Sequence, residues 1–307
     1  MPFTAKSGKF NASINTVEFG TGDKAVKIGG ENVFPLYSFD AAIENAPKVG
    51  IEITDFGMEH EPECIKKYYE GCATLADMAR KAASMEGVDF LSFRMEGGDP
   101  NGANKSTEEL IGELKEISDA VDLPLVVCGC KNVEKDAELF SKAAEALNGK
   151  NAVILSAKEE NYKTVGAAAG LAYKQVVGAE SAVDINLAKQ LNVLISQLGV
   201  DSKSVVMNVG TAAVGYGFEY VISTMDRVKA AALQQGDANL QMPIITPVAS
   251  EAWGVKEAMA SETDAPEWGS QEERGIDMEV ETAMTSPDLL KRFRRCCSRI
   301  PVILQGM

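Results

Sequence analysis

The chain has 307 residues, of which 45 are acidic and 30 basic, for a formal charge of −15. With 45% hydrophobic and 24% charged residues it can bury a sizeable core, which excludes a disordered chain, and its acidity argues against a protein that tracks nucleic-acid phosphates. No apolar run approaches the ~18 residues of a membrane span, and residues 1–20 are polar, with Lys6, Lys9 and Glu18, so a cytoplasmic protein with reduced thiols is expected.

In chain order, residues 10–35 read as a β-hairpin: two apolar-alternating runs flank Thr21-Gly22-Asp23-Lys24, a glycine-containing turn. Short β-branched or apolar runs then fall at 48–55, 88–96, 123–130, 152–158, 172–178, 205–211, 243–250 and 276–284. Helical patterns lie between and after them, at 61–86, 106–120, 133–147, 159–170, 184–198, 219–235, 254–262 and 287–297. Pro62 and the run Ser106-Thr107-Glu108-Glu109 are good helix starts. Eight β-then-α units in this length predict an α/β fold closed as a (β/α)8 TIM barrel over 48–307, with a hairpin and lead-in over 1–47 that can plug the bottom of the barrel. An open doubly wound sheet is the alternative. It would favour a Gly-x-Gly-x-x-Gly turn after the first strand, and Asp55-Phe56-Gly57-Met58-Glu59-His60 has none.

A single histidine, His60, excludes metal sites built from two or three histidines within this chain, and no Gly-x-Ser-x-Gly elbow is present for a serine hydrolase. His60 itself suits either an acid–base role or a solvated loop position. The basic run Lys291, Arg292, Arg294, Arg295 and Arg299 reads as one solvated helix face. Cys128 and Cys130 share one face of a strand, Cys64 and Cys72 lie in the first helical stretch, and Cys296-Cys297 near the end. None has the four-cysteine spacing an iron–sulfur cluster wants, and small buried hydrophobes are the simpler reading.

In a barrel the working residues lie at the C-terminal ends of the strands and in the loops after them. The loop Glu96-Gly97-Gly98-Asp99-Pro100-Asn101-Gly102-Ala103-Asn104-Lys105-Ser106 is rich in glycine and asparagine, which suits close approach to a ligand as well as a plain turn. Asn208 to Gly217 is similar, with Tyr216 adding a flat face to a cavity floor. Period-two alternation puts Glu52 and Thr54, Ser92, Arg94 and Glu96, Ser156 and Lys158, and Glu279 and Glu281 on inward faces, opposite Ile51, Ile53, Leu91, Phe93, Met95, Met278 and Val280. The inward charges read as a paired ion network, with a Schiff-base Lys158 as the enzymatic alternative.

The stretches PLYSFDAAIENAPKVGIEITD, FLSFRMEGGDPNG, PLVVCGCKNVEKDAEL, MNVGTAAVGYGFEY and MPIITPVASEAWGVKEA cover most of residues 34–260. Through them the chain resembles the small subunit of the corrinoid iron–sulfur protein of the acetyl-CoA (Wood–Ljungdahl) pathway, the delta subunit of the acetyl-CoA decarbonylase/synthase complex. The resemblance implies a barrel paired with a large subunit that carries the iron–sulfur cluster. It also implies a corrinoid (cobamide) between that subunit and the barrel mouth. Its cobalt would take a methyl group from methyltetrahydrofolate through a separate methyltransferase and pass it to acetyl-CoA synthase. The chain would then be a non-catalytic carrier subunit with no nucleic-acid or membrane partner.

On this resemblance the corrinoid contacts are expected at Gly98, Asn101, Gly102 and Asn104, then Asn208, Gly210 and Thr211, with Lys131, Asn132, Thr246 and Ser250 as further mouth residues. The Asp-x-His-x-x-Gly motif that supplies a cobalt ligand in many corrinoid proteins is missing, since Met58 precedes His60 where the motif has Asp. Two other functions fit the same barrel: a pterin- or folate-binding methyltransferase using Asp99, Asn101 and Asn208, and a lysine-dependent aldolase using Lys158.

Overall fold

Strands β1 (Val17–Phe19) and β2 (Val26–Ile28) pair antiparallel through a 3-10 turn at Gly22–Lys24, which is the hairpin the sequence predicts. The computed structural model of the chain describes residues 8–34, 41, 43–283 and 302–303. After the hairpin come β3 (Lys48–Thr54), α1 (Glu63–Tyr68), α2 (Leu75–Ala83), β4 (Phe90–Arg94), α3 (Thr107–Ala120), β5 (Leu125–Cys128) and α4 (Val133–Ala146). The alternation continues with β6 (Val153–Ala157), α5 (Tyr162–Val165, running on as a π-helical stretch over Gly166–Ala172), β7 (Val176–Glu180), α6 (Ile185–Gln197), β8 (Val205–Asn208) and α7 (Phe218–Leu233). The remaining elements are α8 (Val248–Ala252), α9 (Lys256–Met259), α10 (Gln271–Ala283) and β9 (Val302–Ile303).

The helix starts follow from local chemistry. Side chains that accept hydrogen bonds from otherwise unpaired first-turn N–H groups open four of them: Thr74 at α2, Ser106 at α3, Asn132 at α4 and Asp184 at α6. At α2 the arrangement is reciprocal, since Asp77 accepts from the backbone of Thr74. The single helix expected over 61–86 is two, α1 and α2, because Gly71 takes a left-handed turn at φ +87° between them.

Strands β3 to β8 form a parallel sheet in sequential order, and β9 adds antiparallel to the outer edge of β3. Beyond β8 the seventh expected strand, 243–250, makes one parallel bridge from Ile244 to Met207 and then turns into α8. The eighth, 276–284, is corrected outright: its described residues, 276–283, lie within helix α10. Ile276, Met278 and Val280 alternate with acids as a strand would, but Gly275 and Glu279, one helical turn apart, both meet Trp253. Indole Nε1 donates to Glu279 Oε2 at 2.9 Å, and that contact fixes the helical period. Among the described residues the parallel sheet therefore has six strands, and no hydrogen-bonded closure into an eight-stranded barrel is formed. The helix expected at 287–297, with its basic run and Cys296-Cys297, lies outside the described residues.

Two apolar cores separate the layers. One joins Ile51, Ile53, Leu91, Phe93 and Val127 to the helices, which places the expected outward faces where the alternation put them. The other contains Phe90, Val126, Val153, Val176 and Val206 with Val17, Phe19, Val26 and Ile28 of the hairpin, and no helical residue. A doubly wound sheet would carry helices on both faces. Here the second face is covered by the hairpin at the N-terminal ends of the strands. Phe19 meets Phe90 edge-on at 5.8 Å between ring centres, Gly20 N–H donates to the Asn151 carbonyl, and Gly50 leaves the room a Cβ would take from the Phe90 ring. A buried ion pair between Glu31 and Lys229 of α7 anchors the segment after the hairpin. No helix among the described residues is long and apolar enough to cross a membrane.

Phe19 is fully buried in this plug. Phe19→Ala should therefore lower unfolding free energy by about 3–5 kcal/mol in a denaturant titration, and a change near zero would show that the hairpin is not part of the folded core.

Candidate functional site

Along the helix-free face the strands change from apolar to polar. Phe90 is followed two residues on by Ser92 and then Arg94, Val126 by Cys128, Val176 by Gly178 and Glu180, and Val206 by Asn208. The apolar ends pack on the hairpin, and the polar ends open into a cavity of about 270 Å³. Its walls include Arg94, Lys131, Asp136, Ser156, Lys158, Glu180, Asn208, Thr211 and Ser250. A register shift in β6 between Ile154 and Ala157 brings Leu155 and Ser156, neighbours in sequence, to the same cavity. The site thus sits at the C-terminal ends of the parallel strands, where the sequence places it.

Three ion pairs ring the cavity, at increasing exposure. Deepest, Arg94 donates to Glu52 Oε2 at 2.9 Å with both side chains buried. Burial opposes the guanidinium charge, but the Glu52 carboxylate outweighs it and holds the Arg94 pKa above its ordinary value. Lys158 faces Glu180 at 3.3 Å, half-buried, and Lys131 meets Glu251 at 3.1 Å near the surface. Of the charges expected to point inward, Glu52, Arg94 and Lys158 are paired in the interior, whereas Glu96 and Glu281 are exposed and Glu279 packs on Trp253. Asp136 adds a buried carboxyl whose pKa burial pushes up, opposed by the Cys130 N–H at 2.7 Å and the Cys130 thiol at 3.2 Å. Gly129 is what admits that carboxyl, since a Cβ there would lie 2.2 Å from Asp136 Oδ1.

The rim is held in unusual backbone. Lys131, Ala182 and Val183 all line the cavity at positive φ, 71°, 44° and 68°. For a β-branched residue such as Val183 this is costly, and the surroundings enforce it. Val183 N–H donates to the Val209 carbonyl at 2.7 Å, and the Val183 carbonyl accepts from Thr224 Oγ1 at 3.2 Å. No sequence signal marked these positions, because left-handed backbone is legible only where Gly or Asn supplies it.

The structure divides the expected mouth residues into two groups. Lys131, Asn208, Gly210, Thr211 and Ser250 line the cavity together. Asn208 is buried and fixed, donating to Ser156 Oγ at 3.1 Å and accepting from Gly210 N–H at 3.1 Å. The Oγ atoms of Thr211, Ser250 and nearby Thr246 are buried without a hydrogen-bond partner.

Gly98, Asn101, Gly102, Asn104, Asn132 and Thr246 are not among the lining residues. Gly98 is buried against Leu110 and Leu139, Asn132 caps α4, and Asn101, Gly102 and Asn104 are exposed on the 96–106 loop. That loop is braced by residues that sequence reasoning passed over. Asp55 accepts from Gly97 N–H at 2.9 Å, and Lys105 reaches Asp55 at 3.1 Å and Glu113 at 3.2 Å. Tyr216 is exposed beside the mouth, its hydroxyl donating to Glu257 at 2.6 Å. His60 is exposed and packs edge-on against Phe56 rather than lining the cavity. Among the described residues no group of three or more His, Cys, Asp or Glu stands together to hold a metal ion.

The profile of the CO dehydrogenase/acetyl-CoA synthase delta subunit family matches residues 16–281. The chain is 32% identical over 275 residues to the acetyl-CoA decarbonylase/synthase complex subunit delta of Archaeoglobus fulgidus, covering 87% of this chain and 59% of that one. It is 33% identical over 251 residues to the subunit delta of Methanothermobacter thermautotrophicus (81% and 63%) and 32% identical over 285 residues to that of Methanocaldococcus jannaschii (90% and 68%). The chain spans about three-fifths of the length of the first two relatives.

Cys128 ends β5 in the hairpin-side core and Cys130 lies beyond the strand in the helix-side core, so the two thiols do not share one strand face as expected. Burial pushes the Cys128 thiol up to about 11, and burial with the Asp136 carboxylate beside it pushes Cys130 up to about 12. Iodoacetamide at pH 8 should alkylate half-buried Cys64 and Cys72 while sparing Cys128 and Cys130, as read by peptide mass; rapid labelling of Cys128 or Cys130 in the folded protein would contradict this.

Proposed function

Because the chain belongs to the CO dehydrogenase/acetyl-CoA synthase delta subunit family, we propose that it is the non-catalytic small subunit of a cytoplasmic, two-subunit corrinoid methyl carrier. Its partner would be the large subunit, which holds the iron–sulfur cluster. The loaded carrier would exchange methyl groups with a methyltetrahydrofolate:corrinoid methyltransferase and with acetyl-CoA synthase. When bound, the corrinoid supplies a cobalt centre able to accept and donate a methyl group. Everything this chain contributes is binding and shielding.

The observation that carries this reading is the pair of unpartnered buried hydroxyls, Thr211 and Ser250, at a cavity that is open at one end and plugged at the other. Buried hydroxyls normally find partners, and these two face space where a ligand's polar groups can supply them. At about 270 Å³ the cavity falls below the ~300–1,000 Å³ of pockets that enclose a whole drug-sized ligand. It suits part of the periphery of a broad ring, with the rest covered by another chain. The lining residues would offer a bound corrinoid hydrogen-bonding side chains such as Asn208, Thr211 and Ser250. Asn208, Gly210, Thr211, Ser250 and Lys131 would meet the ring's edge. Thr246 is buried outside the lining, and the exposed Asn101, Gly102 and Asn104 would meet the covering subunit.

The same reading takes the six sequential parallel strands and the Ile244 bridge as the greater part of a (β/α)8 barrel. The helix-free core and its hairpin plug support that view. A pterin-binding methyltransferase is the competing function.

Titration with a corrinoid, followed by visible absorption, separates the two. The spectrum should change for the chain mixed with its large subunit and not for the chain alone. Tight binding of methyltetrahydrofolate by the chain alone, with no corrinoid retained in the mixture, would replace the carrier reading with the methyltransferase.

A further inference from the structure

Arg94 is 6% exposed, lines the cavity, and has committed one end of its guanidinium to Glu52 Oε2, while its Nε–H and the second carboxylate oxygen, Glu52 Oε1, are both buried without a partner. Arginine only donates, so that N–H requires an acceptor. The charges around it are already matched. Glu52 offsets Arg94, Glu180 offsets Lys158 and Glu251 offsets Lys131, and Asp136 adds a further carboxyl to the lining. The cavity therefore offers a deep donor but no unmatched cation.

We infer that Arg94 is the residue at which the mouth takes a neutral primary carboxamide from the bound ring's periphery, and that the cavity rejects the same group as a carboxylate. The inference rests on the carrier reading above and adds the chemical class that the cavity selects. A carboxamide oxygen accepts from Arg94 Nε, and its NH₂ donates to hydroxyls such as those of Thr211 and Ser250, which both donate and accept. A carboxylate would also satisfy the arginine. It would, however, bring an unmatched negative charge beside Glu180, Glu251 and Asp136, and like charges brought together in a desolvated site repel strongly. Selection thus comes from charge balance rather than from shape.

The test compares two probes on the two-subunit complex: the fully amidated corrinoid, and corrinoids in which one peripheral carboxamide at a time has been hydrolysed to the free acid. Retention after gel filtration is read by absorption. One of the free acids should be held at least about tenfold more weakly than the amide, because it adds an unmatched negative charge beside the lining carboxylates. Replacing the pair together, Arg94→Leu with Glu52→Leu, avoids stranding a buried charge. That variant should hold the amide about tenfold more weakly, while Glu180, Glu251 and Asp136, which it keeps, still disfavour the free acid. Equal retention of the amide and every free acid by the unaltered complex would overturn the inference while leaving the carrier reading intact, as would a double variant that holds the amide as tightly as the unaltered complex does. If the unaltered complex retains no corrinoid of any kind, the carrier reading itself falls, and the inference with it.

Discussion

A parallel sheet that keeps its helices on one side must satisfy its other face by different means, and that constraint organises this protein. The helix-free face is apolar at the N-terminal ends of the strands and polar at the C-terminal ends, with Phe90, Ser92 and Arg94 as the clearest case. The apolar end calls for a cover, which the hairpin supplies through Val17, Phe19, Val26 and Ile28. The polar end cannot be covered by apolar side chains without stranding Arg94 Nε and the hydroxyls of Thr211 and Ser250, which have no partner within the chain. It is left as a cavity. Plug and mouth are thus two consequences of one gradient along the strands.

The mouth is stiff rather than adaptable. The Arg94–Glu52 pair, the Asn208–Ser156 hydrogen bond and the Asp136–Cys130 contacts fix its floor through buried polar interactions between different strands and loops. Around the rim, Val183 is held in left-handed backbone by bonds to Val209 and Thr224, so loop geometry is maintained against local preference. Such pre-organisation lowers the ordering cost when a second molecule closes over the site. It suits a site that positions and shields a bound group.

Much of this was legible in the sequence. Period-two alternation placed Ile51, Ile53, Leu91, Phe93 and Met95 against the helices and Arg94, Ser156 and Lys158 toward the interior, because burial on both faces demands a strict pattern. The same rule misread 276–284, where alternating acids and apolar residues also satisfy a helix whose Gly275 and Glu279 pack on Trp253. Within the candidate site, the Asn208 loop and Ser250 join the cavity, whereas the equally glycine-rich 96–106 loop stands outside it. Composition alone does not separate the two. The difference lies in contacts such as Lys105 to Asp55, fifty residues apart, which leave no local signature.

The central claim is that the polar end of the strands is the half-site that another subunit completes over a corrinoid. Hydrogen exchange on the chain, alone and in complex with its corrinoid-loaded large subunit, tests it most directly. Amides at 181–184, 208–217 and 246–251 should exchange more slowly in the complex, while those of the hairpin at 17–28 should be unchanged. Protection centred on the hairpin, with the mouth loops unaffected, would contradict the claim.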